Sequence, residues 1–200
     1  MVMIQWSHQL GNCIMTTRLI TTIEEAHISL DQLRSSPVYK SDDDLNYIIT
    51  ALKVFKAHTK HIKRLFGITI PSNMAIMFDN ELLSKDALGM AWIYPDAKDS
   101  NAFAHVHNRR QYDEMSAISL SMTWLRKVPN ETFNDTIPHE LAHVVVDRKG
   151  FHSEEGGGHG FHWVEAMKAL GIHNPRSKFN AAGMDETIQA HKQLYKKYHV

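Results

Sequence analysis

Five consecutive residues, His139-Glu140-Leu141-Ala142-His143, constrain this chain more than any other segment. In an α-helix, residues four apart lie about 40° apart around the axis and ~6 Å along it, so both histidines can direct an imidazole nitrogen at one metal ion. Glu140 lies roughly 60° from His143 on the same side, where a carboxylate can contact a metal-coordinated water but not the metal. The segment therefore predicts a helix with one face toward a zinc site, although a helix with two surface histidines would have the same sequence.

A catalytic zinc site usually has three protein ligands, so a third donor is needed outside this helix. A metzincin would have glycine at position 146 and histidine at 149, but Val146 and Lys149 stand there, which excludes that subclass. His159 follows three glycines at 156–158 that allow the chain to turn back. We predict His159 as the third ligand. The competing donors are Glu165, His152, Glu154, Glu155 and His162.

The residues around these histidines resemble the SprT-like (Spartan-type) metalloprotease domain. The resemblance lies in the segment 134–145, in Gly158-His159-Gly160 and in the aromatic Trp163. It extends roughly over residues 45–172, because the end of a long helix and several apolar segments follow the order of elements in that domain. These upstream features are Leu65-Phe66 and the segments 74–78, 89–94 and 118–121.

The resemblance implies that His139, His143 and His159 bind Zn²⁺ and that Glu140 is the catalytic base of a zinc endopeptidase. It also implies protein substrates that are bound or crosslinked to DNA, with single-stranded DNA or another nucleic acid as a partner. The chain departs from the family in two ways. Its single cysteine, Cys13, predicts no zinc ribbon built on cysteine pairs, and Phe161 stands where the family usually has proline.

Periodicity and capping residues predict helices on both sides of several short strands. We expect a short helix from about Thr22 to Leu33 and a long one from the acidic residues 42–44 to Phe66, where Gly67 ends it. Pro138 implies either a kinked helix or one that starts late with Thr136 as N-cap. For residues 1–20 we expect either a flexible arm or an added strand. The β-like runs are 74–78, 89–94, 102–106 and 115–121.

These elements predict a small α+β, zincin-like domain. A short mixed or antiparallel sheet would pack against helices, with the metal site on the motif helix and a following helix. We expect an N-terminal extension with a short helix at 1–44, the SprT-like domain at 45–175 and a C-terminal helical tail at 176–200.

Three basic segments are candidates for nucleic-acid binding. On the long helix, five cations lie within about 100° of one another, an arrangement that also suits an ordinary solvated face. They are Lys53, Lys56, Lys60, Lys63 and Arg64. The other candidates are a loop and the tail, where aromatic residues lie among the cations and would equally suit a packed helix. The loop residues are Arg109, Arg110 and Tyr112, and the tail residues are Lys192, Lys196, Lys197, Tyr195 and Tyr198.

His105 and His107 alternate on a predicted strand and are a weaker candidate for a second metal site.

The overall composition limits the partners of the chain. Its 200 residues are 43% hydrophobic and include 22 basic and 22 acidic residues, so one core is expected and any DNA binding must be local. One cysteine predicts a reducing compartment. The sequence contains no signal-like or membrane-spanning apolar run. We therefore expect a cytoplasmic protein, in the host cytoplasm if the chain is virally encoded, with no membrane partner.

Two other functional classes are compatible with the same residues. One is a non-peptidase hydrolase or a protein that uses zinc only structurally, which would have no need of Glu140. The other is a zinc-containing DNA-binding or regulatory module without proteolytic activity, whose binding to DNA would depend on the salt concentration.

As a peptidase, the chain would also need a hydrogen-bond donor that stabilises the oxyanion, such as His162, Tyr112, an arginine or a backbone amide.

Overall fold

The computed structural model describes residues 18–23, 30–36, 38–79, 87–93, 116–151 and 158–175. The strands in these ranges are β1 (Arg18–Thr22), β2 (Ala75–Asp79), β3 (Gly89–Ile93) and β4 (Ser116–Ser121). The helices are α1 (Leu30–Arg34), α2 (Asp42–Phe66), α3 (Met122–Lys127), α4 (Pro129–Glu131), α5 (Ile137–Arg148) and α6 (Phe161–Ala169). A π-helical segment, Thr132–Thr136, joins α4 to α5.

The four strands form one mixed sheet in the order β1-β2-β4-β3. The outer pairs, β1 with β2 and β3 with β4, are antiparallel, whereas β2 and β4 are parallel. The described part of the chain is therefore α+β with a small mixed sheet, as predicted. Strand β3 lies at one edge of this sheet, where it contacts α5.

One face of the sheet packs on the helices. Alternate residues of a strand point to the same face, which explains why Ile76, Phe78, Ile118 and Leu120 all enter the main core with side chains of α2, α5 and α6. The other face contains a smaller buried cluster that includes Met77. Both faces of β2 and β4 are buried. Accordingly, β2 begins with a continuous apolar run at 75–78, whereas β4 accommodates small serines at positions 116, 119 and 121 among its apolar residues.

Helix α2 has the predicted bounds. Its first turn contains three acidic residues, and Gly67 ends it in the left-handed conformation (φ 67°) with its amide donating to the Lys63 carbonyl. The apolar side chains of one stripe, from Ile48 through Phe55 to Ile62, are buried against the core. The helix thereby supports α5, which it contacts directly.

The prediction for the N-terminal region needs a correction. Thr22, predicted to begin a helix, is the last residue of β1, and the described helix α1 begins at Leu30. Pairing of β1 with β2, which places Leu19 opposite Phe78 in the core, outweighs the helical pattern read from the sequence. Of the two alternatives for residues 1–20, an added strand holds for residues 18–20. The predicted run at 102–106 and the tail at 176–200 lie outside the described residues.

None of the helices in the described ranges is long and apolar enough to cross a membrane.

Candidate metal centre

The helix α5 begins in an unusual way, with a proline one residue before the first histidine. Pro138 has no amide hydrogen, and its ring crowds the preceding turn of a regular helix. Thr136 does not act as a side-chain cap: its backbone is helical (φ −69°, ψ −44°) and its side chain makes no cap hydrogen bond. The π-helical turn at 132–136 precedes the proline instead, and a wider turn accommodates it without an interruption of the helical backbone.

Three imidazoles meet beside α5. The Nε2 atom of His159 lies 3.0 Å from Nε2 of His139 and 3.2 Å from Nε2 of His143, and the three nitrogens all lie within 4.8 Å of one another. Tetrahedral coordination with Zn–N bonds of 2.0–2.1 Å would separate ligand nitrogens by about 3.3–3.4 Å. The donor set therefore fits a metal ion with only small movements.

The chain turns back to the helix at a glycine, as expected. Gly158 has φ +83°, and a Cβ atom there would lie 3.4 Å from Cε1 and Nδ1 of His143. His159 follows it and precedes Gly160, the N-cap of α6. The third histidine therefore lies in the loop before the following helix and not on that helix, which corrects the predicted position. A residue outside α6 depends on the loop backbone for its orientation.

Burial keeps His143 neutral. Desolvation is the main reason that its pKa falls to about 3, and the proximity of His159 lowers it further, whereas a hydrogen bond to the Gly158 backbone opposes the shift. The neutral form is the one that binds a metal. Because Nε2 of His143 faces the other two imidazoles, the backbone contact at Gly158 leaves Nε2 available as the donor atom.

Glu140 is almost completely buried, with 5% of its surface exposed. Burial raises the pKa of Glu140 to about 8, although a hydrogen bond with the Ala91 backbone partly offsets the effect. The neighbouring Gly89 leaves no room for a side chain, because a Cβ atom there would lie 2.8 Å from Oε1 of Glu140 and 2.8 Å from Cγ2 of Thr136. Strand β3 therefore determines the position of this carboxyl group.

The sequence did not identify Gly89 or Ala91 as part of the site. Both lie within an apolar run that predicts only a strand, and their proximity to Glu140 arises from the packing of β3 on α5. The sequence marks Trp163 only as an aromatic residue of the resemblance, but its ring contacts all three imidazoles. No spacing rule would have revealed this contact.

Two of the competing third ligands lie among the described residues, and neither joins the cluster. Glu165 pairs with Lys168 at 2.9 Å, and the ring of His162 stacks on Phe151 with centroids 3.7 Å apart. Among the described residues, the metal-capable group consists of the three histidines alone. The other competitors, His152, Glu154 and Glu155, lie outside the described residues.

The candidate nucleic-acid residues also fall into two groups, those that lie within the described residues and those that lie outside them. On α2, the side chains of the basic face are exposed, as predicted for either a phosphate-binding or a solvated surface; they are Lys53, Lys56, Lys60, Lys63 and Arg64. The remaining candidates lie outside the described residues, and so do the two histidines of the weaker metal site. These are Arg109, Arg110, Tyr112, Lys192, Tyr195, Lys196, Lys197, Tyr198, His105 and His107.

A comparison with protein families bears directly on these residues. The model of the SprT-like family matches residues 55–183, a range that contains strands β2 to β4, the motif helix and His159. A search of curated proteins and a search of solved structures found no match. The family match covers more than half of the 200 residues, and the chain therefore belongs to the SprT-like family.

Proposed function

We propose that this chain is a zinc-dependent endopeptidase. One observation supports this assignment above the others: three imidazole nitrogens converge at α5, the helix that also carries the buried carboxyl group of Glu140. Three neutral nitrogen donors with one open coordination position are typical of catalytic zinc, and structural zinc sites usually have four protein ligands, most of them cysteines. Membership in the SprT-like family agrees with a metallopeptidase.

His139, His143 and His159 would hold the metal. A bound zinc ion would supply Lewis acidity, which makes a coordinated water more acidic and polarises a peptide carbonyl. Glu140 would accept a proton from the attacking water on its carboxylate and later donate it to the leaving amine. In the metal-free chain, burial raises the pKa of Glu140, so its carboxyl group binds a proton more readily than an exposed glutamate; a bound cation would oppose this shift.

We infer that an extended polypeptide binds along β3. The Ser121 amide donates to the Leu88 carbonyl at 2.9 Å. Met90 lies opposite Ser119 in this register. Residues 88, 90 and 92 therefore form backbone hydrogen bonds with β4, whereas the backbone N–H and C=O groups of residues 89, 91 and 93 point toward the outer edge of the described sheet. The backbone of Ala91 forms a hydrogen bond with the carboxyl group of Glu140. A substrate strand paired with the remaining outward groups would pass directly beside the catalytic carboxyl group.

The proposed substrates are proteins bound or crosslinked to DNA, as the family resemblance implies. The exposed basic face of α2 supports a DNA-associated substrate, because lysines and arginines on one face can bind successive phosphates. The proposed residues are Lys56, Lys60, Lys63 and Arg64, and in the tail Lys192, Lys196 and Lys197. The same face would serve a DNA-binding or regulatory module without proteolysis, which is the alternative function. Cleavage is the property that separates the two.

Metal content tests the ligand assignment. We expect one zinc per purified chain, and its loss in each of His139→Ala, His143→Ala and His159→Ala, because removal of one of three ligands weakens binding strongly. His173→Ala is the matched control, since this histidine is exposed and lies outside the cluster. If His159→Ala retained its zinc while Glu165→Ala lost it, the assignment of His159 as the third ligand would be wrong.

Cleavage of a DNA-binding protein, with and without single-stranded DNA, tests the reaction. Glu140→Gln should retain zinc and abolish cleavage, because the amide is nearly isosteric but cannot accept a proton. Glu131→Gln, at an exposed position, should cleave like the unaltered chain. Undiminished cleavage by Glu140→Gln would remove this residue from the mechanism. DNA binding with no cleavage of any protein by the zinc-loaded chain would favour the regulatory module.

A further inference from the structure

Trp163 is the largest side chain that lies fully buried in the described core. It follows the Gly-His-Gly segment and lies in the first turn of α6. Its ring centroid is 4.7 Å from that of His139, 4.7 Å from that of His159 and 5.7 Å from that of His143. A single indole thus contacts every member of the three-histidine cluster.

The contacts are directional. The ring of Trp163 meets His139 and His159 edge to face, with interplanar angles of 69° and 83°, an arrangement in which the positive edge of one aromatic ring approaches the negative face of another. The angle to His143 is 32°. Each imidazole therefore has a defined orientation against the indole, and rotation of any one of them would have to displace a buried neighbour.

The indole also joins the two elements that supply the histidines. Its Nε1–H donates to the backbone carbonyl of His139 at 3.3 Å. That carbonyl lies near the beginning of α5, where the helix normally directs it at the amide four residues on, and its second lone pair can accept the indole hydrogen. Trp163 thereby attaches α6, and with it the loop that presents His159, to the helix that contains the other two donors.

We propose that Trp163 is a positioning residue that holds the three imidazoles in their ligand arrangement and thereby sets the metal affinity of this site. This inference rests on the proposed metal site. The contacts with the indole would keep the three nitrogen atoms close together before an ion binds. Residues that orient metal ligands typically change metal affinity by about 10- to 100-fold when they are replaced.

The alternative role for Trp163 is simple filling of the core. Such a role predicts lower thermal stability after replacement, with unchanged zinc affinity in the molecules that remain folded. Phe55 provides the matched comparison, because it is also large and fully buried, packs in the same core and belongs to α2, a helix that contributes none of the three histidines. Phe55→Leu should lower the melting temperature and leave the zinc dissociation constant unchanged.

The experiment compares Trp163→Phe, Trp163→Leu and Phe55→Leu by chelator competition for zinc and by the visible absorption of the Co²⁺-substituted full chain. Trp163→Leu removes the indole hydrogen bond and the ring contacts, and we expect its zinc Kd to rise about 10- to 100-fold, with altered Co²⁺ bands. Trp163→Phe retains an aromatic ring and loses the donor, so a smaller rise of several-fold is expected. Neither readout requires peptidase activity.

The proposal is overturned if the folded Trp163 variants bind zinc within twofold of the unaltered chain and give the same Co²⁺ spectrum. If Trp163→Leu does not fold, Trp163→Phe decides by the same criterion. An equal loss of affinity in Phe55→Leu would also overturn it, since the effect would then follow from core damage in general. If the unaltered chain binds no zinc, the proposed function fails; if it binds zinc and Trp163 has no influence, only this inference fails.

Discussion

Glu140 illustrates the conflict between catalysis and stability within a single residue. Its carboxyl group is buried, and the pKa of about 8 in the folded chain lies above the ordinary value of 4.5. The metal-free fold therefore favours the protonated form. Stability from this group is fully present below the unfolded-state pKa and is lost as the pH rises toward the folded-state pKa.

We predict that Glu140→Gln stabilises the metal-free chain in neutral and weakly alkaline solution. Glutamine resembles the protonated acid at every pH, so the variant avoids the loss that the unaltered chain suffers between pH 4.5 and about 8. The expected gain at pH 7–8 is on the order of 1–3 kcal/mol. Urea unfolding at several pH values measures it, with the exposed Glu131→Gln as control. A gain that did not shrink toward pH 4.5 would contradict the explanation.

Gly89 allows a second prediction about the same carboxyl group. In Gly89→Ala the new methyl would lie 2.8 Å from both Oε1 of Glu140 and Cγ2 of Thr136, so the side chain of Glu140 or strand β3 must move. We expect the rate of peptide cleavage to fall about 10- to 100-fold, as a displacement near 1 Å can cause, while zinc content stays the same. Normal cleavage by this variant would show that Glu140 tolerates the movement.

At this scale, the sequence predicts the residues whose roles depend on local spacing. His139, Glu140 and His143 lie within one helical turn and a half, so helix geometry alone brings them together. Gly89 and Ala91 lie about 50 positions away, and only the packing of β3 against α5 makes them neighbours of Glu140. A contact between distant segments leaves no periodic pattern in either of them.

Among the elements, the start of α2 depends on a buried ion pair. The Arg126 guanidinium donates to both carboxylate oxygens of Asp44, at 2.7 and 3.0 Å, and to the Val38 carbonyl at 2.7 Å. Burial alone would raise the pKa of Asp44, but the hydrogen bonds and charge of Arg126, with backbone amides of Lys40 and Ser41, hold it below its ordinary value. This ion pair between Arg126 and Asp44 connects α3 to the first turn of α2.

We predict that Asp44→Asn destabilises the fold at neutral pH by about 2–4 kcal/mol, because it leaves a partly buried guanidinium without its anion. The folded-state pKa is lowered, so this contribution is present above the unfolded-state pKa of Asp44 and is lost as the pH falls through the folded-state value. The difference between the two chains should therefore shrink in acid. Chemical unfolding measures it, with the exposed Asp42→Asn as control.

The elements were predictable to the extent that their signals are local. Helix α2 has acidic residues at its start, a glycine at its end and one apolar stripe, and its predicted bounds are confirmed. The helix expected from Thr22 is wrong because pairing with β2 decides the conformation there. The sequence does not predict the π-helical turn before Pro138, since it is one of several ways in which a helical chain can accommodate a proline.

The molecule as a whole has equal numbers of basic and acidic residues, so attraction to DNA must come from a local surface. We predict that joint replacement of Lys56, Lys60 and Lys63 by alanine weakens single-stranded DNA binding. It should also flatten the dependence on salt by about one unit of slope or less per lost phosphate contact. Zinc content and melting temperature should barely change, because these side chains are exposed. Binding titrations at several salt concentrations provide the measurement.

The matched control is a triple replacement of other exposed lysines, Lys40, Lys127 and Lys149, which removes the same charge elsewhere. An equal effect of both triple variants would mean that net charge, and not the α2 face, governs binding. Deletion of residues 185–200 tests Lys192, Lys196 and Lys197 separately. If only this deletion abolishes binding, the α2 face is an ordinary solvated surface; if no variant matters, DNA dependence fails and the zinc peptidase proposal stands alone.

The π-helical turn absorbs one residue without changing the rotational phase of the helices on either side. A π-turn contains one residue more than an α-turn, so deletion of the exposed Asn134 would let 132–136 close into regular α-helix. Because the segment would still make one turn, the helices before it would keep nearly the same phase relative to the histidines. A deletion inside a regular helix would instead rotate the residues before it by about 100°. We expect the chain without Asn134 to retain as much zinc as Asn134→Ala, as metal analysis would measure, so a one-residue gap should be tolerated here and not within α5.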